Sequence, residues 1–304
     1  MSILQVILFG SVRVTHNNWL TEVKLTREVQ ALLAYLLLYR HRTHPREVLA
    51  GVFWGERSQD RARGSLNTTL WRMRKLLEPD GVPPGTYLIG NHSAEVGFNR
   101  DSQYWLDVED FEKVINHVLA YPFQSVDESD VHDLEEILRL YKGELLEGFY
   151  EDWTLRERER LRGLYLKSLI YLQRYCRFHK LYEKGIVYGL KILELDPLRE
   201  DIHREMMKLY LENGQRSLAA RQYEICRTRL SEELGILPMR ETQALYAQIF
   251  LESHEDSLPL VSGEPAFFKE AMEQLHEAAK TIDHAQEQIQ KTLQFITRLM
   301  TQQD

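Results

Sequence analysis

Arg61 to Leu77 reads RARGSLNTTLWRMRKLL, a helix-length run in a chain of 304 residues with a formal net charge of -8. Arg61, Arg63, Arg72, Arg74 and Lys75 lie in it without a single acidic residue. Ala62, Leu66, Leu70, Met73 and Leu77 recur at spacings of three and four, the signature of one apolar helix stripe that must face a core. The opposite side carries Arg61, Arg63, Asn67, Thr68, Trp71, Arg72, Arg74 and Lys75. A helix face that is merely solvated usually mixes charge signs, because opposite charges four residues apart support each other. This face does not, which points to a polyanionic partner.

The flanking sequence gives the run its context. QVILFG (Gln5 to Gly10), SVRVTH (Ser11 to His16) and TEVKL (Thr21 to Leu25) read as short strands, with Asn17-Asn18 as a turn between the second and third. Thr26 is placed to cap a helix, TREVQALLAYLLLYRHR, with acid in its first turn and base in its last. PREVLAGVFWG follows from Pro45, with Pro at the first helical position and Gly55 closing it. Ser58 or Asp60 caps the third helix, and Pro79-Asp80-Gly81 ends it. YLIGNHSAEVGFN (Tyr87 to Asn99) then reads as two strands around a polar turn. Strands, three helices and a hairpin are the order of a winged helix-turn-helix. In that fold the third helix enters the major groove of double-stranded DNA and the hairpin tip, Asn91 and His92, reaches backbone or minor groove. Arg63, Asn67, Thr68 and Trp71 are the base-edge candidates, Arg preferring guanine and Asn adenine by bidentate geometry, and Arg61, Arg72, Arg74 and Lys75 are the phosphate candidates.

Charge divides the chain in the same place. Residues 1–105 hold 13 Lys+Arg against 9 Asp+Glu, a net of +4, and the remainder carries -12. A basic front on an acidic body implies different partners for the two parts. The body repeats at a spacing of 34: Gly185 falls on Ala219, Ile186 on Ala220, and Gln173 to Cys176 on Met207 to Tyr210. That period predicts a tetratricopeptide-like array of helix pairs. SHEDSLPLVSGEP (Ser253 to Pro265) reads as a linker. Beyond it Phe268, Leu275, Ile282, Ile289 and Ile296 recur every seven residues, with Ala271, Ala278, Ala285, Thr292 and Leu299 three positions on. This seam predicts a coiled coil and a homodimer, the alternative being an amphipathic helix folded back on the array.

These features resemble the Streptomyces antibiotic regulatory protein family, the AfsR/DnrI-like activators, whose winged helix is shared with OmpR-type response regulators. LFGSVRV, LTREVQALLAYLLLY, PREVLAGVFW and RARGSLNTTLWRMRKLLEP carry the resemblance in the front. WLDVEDFEKVINHV (Trp105 to Val118) and LYKGELLEGFYEDWTLRERERLRGLYLKSL (Leu140 to Leu169) carry it in the body, so that it covers about residues 3–250. Ser65 stands where the family pattern has Asn, and Gly64 adds freedom near the helix start. The resemblance implies a bacterial transcriptional activation domain behind the DNA-binding head. It also implies an RNA polymerase contact on the stretch between the second and third helices, through Glu56, Arg57, Gln59 and Asp60.

The expected architecture is mainly α with a small β component. Residues 1–103 form the winged helix, 104–252 the helical activation domain, 253–265 a linker and 266–304 the coiled-coil helix. No phosphate-binding glycine loop, metal-ligand spacing or nucleophile setting is present in the sequence. We therefore expect no catalytic residue, cofactor or metal, and a regulator rather than an enzyme. His41 and His44 read as surface residues near a helix end. Cys176 and Cys226 read as buried reduced thiols, which suits a cytoplasmic protein. No apolar run is long enough to span a membrane, and MSILQVILFGSVRV lacks the basic start and cleavage site of a secretory leader. Nothing in the sequence names a small-molecule effector. The competing reading is a protein-interaction adaptor in which the helical array is the working part.

Overall fold

A computed structural model describes residues 3–16, 25–90 and 93–255. The heptad tail with Phe268, Leu275, Ile282, Ile289 and Ile296, the wing-tip pair Asn91 and His92, and most of the third expected strand lie outside the described residues.

The chain begins with β1 (Leu4–Ile7) and β2 (Arg13–His16), paired antiparallel with Leu4 opposite His16 and Ile7 opposite Arg13. The turn therefore falls between the first two expected strands, around Gly10 at φ +80°, a conformation that glycine adopts without a Cβ clash. Helices α1 (Arg27–Leu38), α2 (Arg46–Trp54) and α3 (Gln59–Leu77) follow. In α1 a continuous block from Ala31 to Leu38 is buried, so the helix is enclosed on all sides rather than amphipathic. It ends at Leu38, one turn earlier than the sequence suggests, and Arg40 and Arg42 lie beyond it instead of in its last turn. Thr26 takes the cap position of α1 without a side-chain cap hydrogen bond. Pro45 precedes α2 rather than opening it, because it pairs as a strand residue.

The wing is a three-stranded sheet, with β5 (Glu95–Phe98) between β3 (His44–Pro45) and β4 (Leu88–Ile89). His44 lies opposite Val96 in this sheet and is buried, with Nε2 3.3 Å from the Tyr39 carbonyl oxygen. It is a core residue of the wing, not the surface residue that its place near a helix end suggests.

The expected boundary at residue 103 runs through a sheet. β6 (Tyr104–Leu106) pairs parallel with β1, and residues 1–249 form one compact unit. Helices α4 (Asp107–Leu119) and α5 (Glu128–Leu138) lead to α6 (Asp152–Phe178), α7 (Tyr182–Leu195), α8 (Glu200–Glu212), α9 (Arg216–Leu234) and α10 (Arg240–Glu255). The period of 34 is structural: α9 starts 34 residues after α7, and α8 ends 34 residues after α6. Close packing explains the small residues on this register. A Cβ on Gly185 would stand 3.3 Å from Cys176 Cβ, and one on Gly189 would collide with Met206 and Gln173. Cys176 and Cys226 are free and buried, and burial pushes their thiols up to about 11 and about 12, which removes thiolate reactivity.

His203 is buried between these helices. Its Nε2 lies 3.0 Å from the Pro197 carbonyl oxygen and its Nδ1 2.6 Å from Gln222 Nε2, an arrangement that suits the neutral ring with the proton on Nε2. Burial holds its pKa below the usual histidine value, with the Pro197 carbonyl pulling the other way. The unfolded chain takes up this proton near about pH 6.5 and the folded chain only at lower pH. Stability should therefore be full above that value and fall as the pH drops through it. His203→Gln should be less stable near about pH 8 and show a flatter decline in melting temperature down to about pH 5.5, measured by thermal denaturation.

Candidate nucleic-acid interface

α3 is built to serve two sides. Ala62, Leu66, Leu70, Met73 and Leu77 are buried, as their spacing predicts, and Thr69 joins them with its hydroxyl donated to the Ser65 carbonyl. Arg61, Arg63, Asn67, Thr68, Trp71, Arg72 and Lys75 are exposed, Trp71 to 62%. Arg61, Arg72 and Lys75 have no ion-pair partner among the described residues. Leaving cations unpaired on one face keeps them available for phosphate.

Three of the sequence-predicted residues sit differently from their expected settings. Arg74 is half-buried beside Glu78 and Arg46, and its Nε and Nη2 are buried without a hydrogen-bond partner. It is therefore not on the open face with the other cations. Arg63 is paired to Glu47 of α2 at 2.5 Å, so an acid does stand at this face, contributed by a neighbouring helix. Thr68 donates its hydroxyl back to the Gly64 carbonyl one turn earlier, which leaves its oxygen free only to accept.

The segment before α3 is shorter than the sequence suggests. Gln59 and Asp60 belong to the helix, so the connection is Gly55 to Ser58, with Ser58 at the cap position. Glu56, Arg57, Gln59 and Asp60 are all exposed. Arg57 donates from Nη1 to Ser65 Oγ at 2.7 Å, and Ser65 in turn donates to the Arg61 carbonyl. The serine that departs from the family pattern thus anchors the connection to the third helix.

The wing is fastened to α3 at both ends by residues that sequence reasoning missed. Glu78, just past the helix, accepts the backbone N–H groups of Gly85, Tyr87 and Leu88 at 3.1, 2.8 and 3.0 Å. Arg46, the first residue of α2, donates to the Gly90 and Ser93 carbonyls and to Asn67 Oδ1. Neither residue carries a sequence signal, since an Arg after Pro and a Glu before Pro read as ordinary helix ends.

The head is also fastened to the body. Asp107 accepts the N–H groups of Leu8 and Phe9, and its burial raises its pKa against those donors. The segment around Leu145 runs antiparallel to Phe9, and Gly10 N–H donates to the Glu144 carbonyl. Arg27 of α1 donates to the Gly148 carbonyl and lies 4.4 Å over the Phe149 ring. Arg158 of α6 donates to the carbonyls of Leu145, Leu146 and Phe149. Trp153, also on α6, packs edge-on against Tyr35 and Phe53 with ring centroids 5.3 and 6.0 Å apart.

Residues 106–250 match the family described as the bacterial transcriptional activator domain. The matched residues take in helices α4 to α9 and most of α10. Over 251 residues the chain is 23% identical to the transcriptional regulatory protein MoaR1 of Mycobacterium tuberculosis, covering 77% of this chain and 75% of MoaR1. It is 24% identical over 244 residues to the regulatory protein AfsR of Streptomyces griseus, covering 78% of this chain and 23% of AfsR. A solved structure of Mycobacterium tuberculosis EmbR superimposes with a TM-score of 0.69 at 20% identity, over 83% of this chain and 66% of that one. The chain is thus homologous to the AfsR-like regulators and shares the EmbR fold. The resemblance read from LFGSVRV through LKSL holds.

Gly90 tests the wing. It stands at φ +85°, and a Cβ there would fall on the Glu95 carbonyl oxygen. Gly90→Ala should cost at least about 1–3 kcal/mol, seen in chemical denaturation, while far-UV circular dichroism at low denaturant keeps its helical signature.

Proposed function

We propose that this protein is a sequence-specific DNA-binding transcriptional activator, with α3 as the reading helix and the wing on the adjacent backbone. The observation that carries the reading is the exposed set Arg61, Arg72 and Lys75, without ion-pair partners among the described residues, around Asn67, Thr68 and Trp71. These residues stand on a head whose core is continuous with a transcriptional activator domain. Neutralising phosphates releases condensed counterions, so affinity should fall linearly in log-log form with salt. Arg61→Ala, Arg72→Ala and Lys75→Ala should each reduce that slope by about one and weaken all duplexes alike. Asn67→Ala should instead relax one base pair of a site selected from random duplex DNA, at roughly 1–3 kcal/mol of discrimination. Mutants indistinguishable from wild type in both measurements would place the interface elsewhere.

RNA polymerase contact falls in this proposal to the exposed group Glu56, Arg57, Gln59 and Asp60, which no core requires. Because Arg57 also holds Ser65, Glu56 and Asp60 are the residues freest to meet a partner. The adaptor reading draws on a different observation, the exposed Leu234 at the end of α9 and the exposed Leu237 and Met239 after it. Peptide capture there would be nearly insensitive to salt, and so the salt series separates the two readings.

In the same proposal, the tail pairs two copies through Phe268, Leu275, Ile282, Ile289 and Ile296. Burial of each such side chain yields roughly 1.5–3 kcal/mol, enough in sum to exceed the entropy of association. Sedimentation should find the full chain a dimer and a chain ending at Ser262 a monomer. A dimer that survives truncation would move the interface to the helical body.

A further inference from the structure

We propose that Arg46 is a positioning residue for base recognition, fixing the rotamer and amide orientation of Asn67 and so the discrimination at the base pair Asn67 faces. The proposal rests on the DNA-binding reading above and deepens it.

Arg46 opens α2, and its backbone N–H donates to the Ala94 carbonyl at 2.9 Å. Its side chain spans the gap between wing and reading helix. Nε donates to the Ser93 carbonyl at 2.9 Å, Nη2 to the Gly90 carbonyl at 3.1 Å, and Nη1 to Asn67 Oδ1 at 2.9 Å. The fork is thus held at two points by wing backbone before it reaches the amide. A guanidinium carries donors only, so the Asn67 atom facing Nη1 must be the oxygen. That settles an amide orientation that would otherwise be free to flip, and leaves the Nδ2 donors to point elsewhere on an exposed face.

An exposed asparagine alone populates several rotamers and two amide orientations. Each presents a different donor and acceptor pattern to the base edges, and the patterns of the four base pairs are distinguished by that order. A charge-assisted bond from a pre-held guanidinium selects one pattern before DNA arrives. Lysine cannot substitute, because its ammonium lacks the planar fork that reaches two wing carbonyls and the amide together. Arg46 also braces the wing, and loss of bracing would weaken every sequence by the same factor. A change in base preference at one position is therefore the readout that bracing alone does not move.

The test starts with selection of sites from random duplex DNA by the full chain. Dissociation constants follow for the selected site and its single-base variants at one salt concentration. Wild type, Asn67→Ala, Arg46→Lys, Arg46→Met and the double variant Arg46→Met with Asn67→Ala are compared. Wild type should discriminate roughly 5- to 150-fold at the base pair relaxed by Asn67→Ala. Arg46→Lys and Arg46→Met should lose most of that ratio at the same base pair although Asn67 is present. The double variant should discriminate there no less than Asn67→Ala alone. If Arg46→Met fails to fold, Arg46→Lys decides. An unchanged ratio in a folded Arg46 variant, with all sequences weakened alike, reduces Arg46 to a brace and overturns the proposal. So does a change confined to a different base pair. A wild-type chain that enriches no site sinks the DNA-binding reading itself, an outcome distinct from either.

Discussion

A single buried carboxylate decides how the two halves of this protein meet. Asp107 is the first residue of α4, and it accepts the N–H groups of Leu8 and Phe9, 99 and 98 residues away in sequence. Those N–H groups lie just past β1, where the strand has left its antiparallel partner and would otherwise bury unpaired donors. The same carboxylate accepts the Val108 N–H at the start of α4, where helical N–H groups lack carbonyl partners. One side chain therefore satisfies a strand end and a helix start together. With Leu8 and Phe9 fixed, Phe9 packs on Phe111 and Tyr141, both at 5.0 Å between centroids for its own contacts, and the segment around Leu145 can dock on it.

That joint explains which parts were legible in sequence. Periodicity finds faces, and it found the buried stripe of α3 and the register of 34 because each repeats within a short window. It cannot find partners that meet once. β3 is two residues long, β6 is three, and both exist only because a distant strand is there to pair with them. His44 differs for the same reason: a residue near a helix end reads as exposed, and here a strand residue 52 positions on, Val96, pairs with it. Of the candidate interface, the exposed cations are readable from the absence of acid between Arg61 and Leu77. Arg74 is not, since it is half-buried beside Glu78 and Arg46, whose own bonds cross turns and helices.

The stretches of sequence that carry the family resemblance acquire a physical role in this setting. Leu145, Leu146 and Phe149 offer their carbonyls to Arg158, and Gly148 and Phe149 receive Arg27 from the other half. Leu146 holds φ 51°, a left-handed conformation that is costly for a leucine. Its N–H donates to Leu8 and its side chain is fully buried, which offsets that cost. The segment is thus specified residue by residue by the docking of head on body.

Such docking constrains how any signal received by the body can alter the head. A linker between the two would let the head sample orientations freely, and binding on the body would have little to act through. Here Trp153 packs on Tyr35 of α1 and Phe53 of α2, and Tyr39 donates its hydroxyl to Glu157 at 3.0 Å. Helix α6 carries both Trp153 and Glu157, and it continues to Phe178, where it forms the first helix of the repeat array. At 27 residues, α6 spans about 40 Å at 1.5 Å per residue. An element of that length touches the head near one end and belongs to the array at the other, so the two are joined by one continuous helix. A partner bound to the array biases the head only if it binds two settings of α6 with different affinity. The contacts of Trp153 with Tyr35 and Phe53 are among those that join α6 to the head.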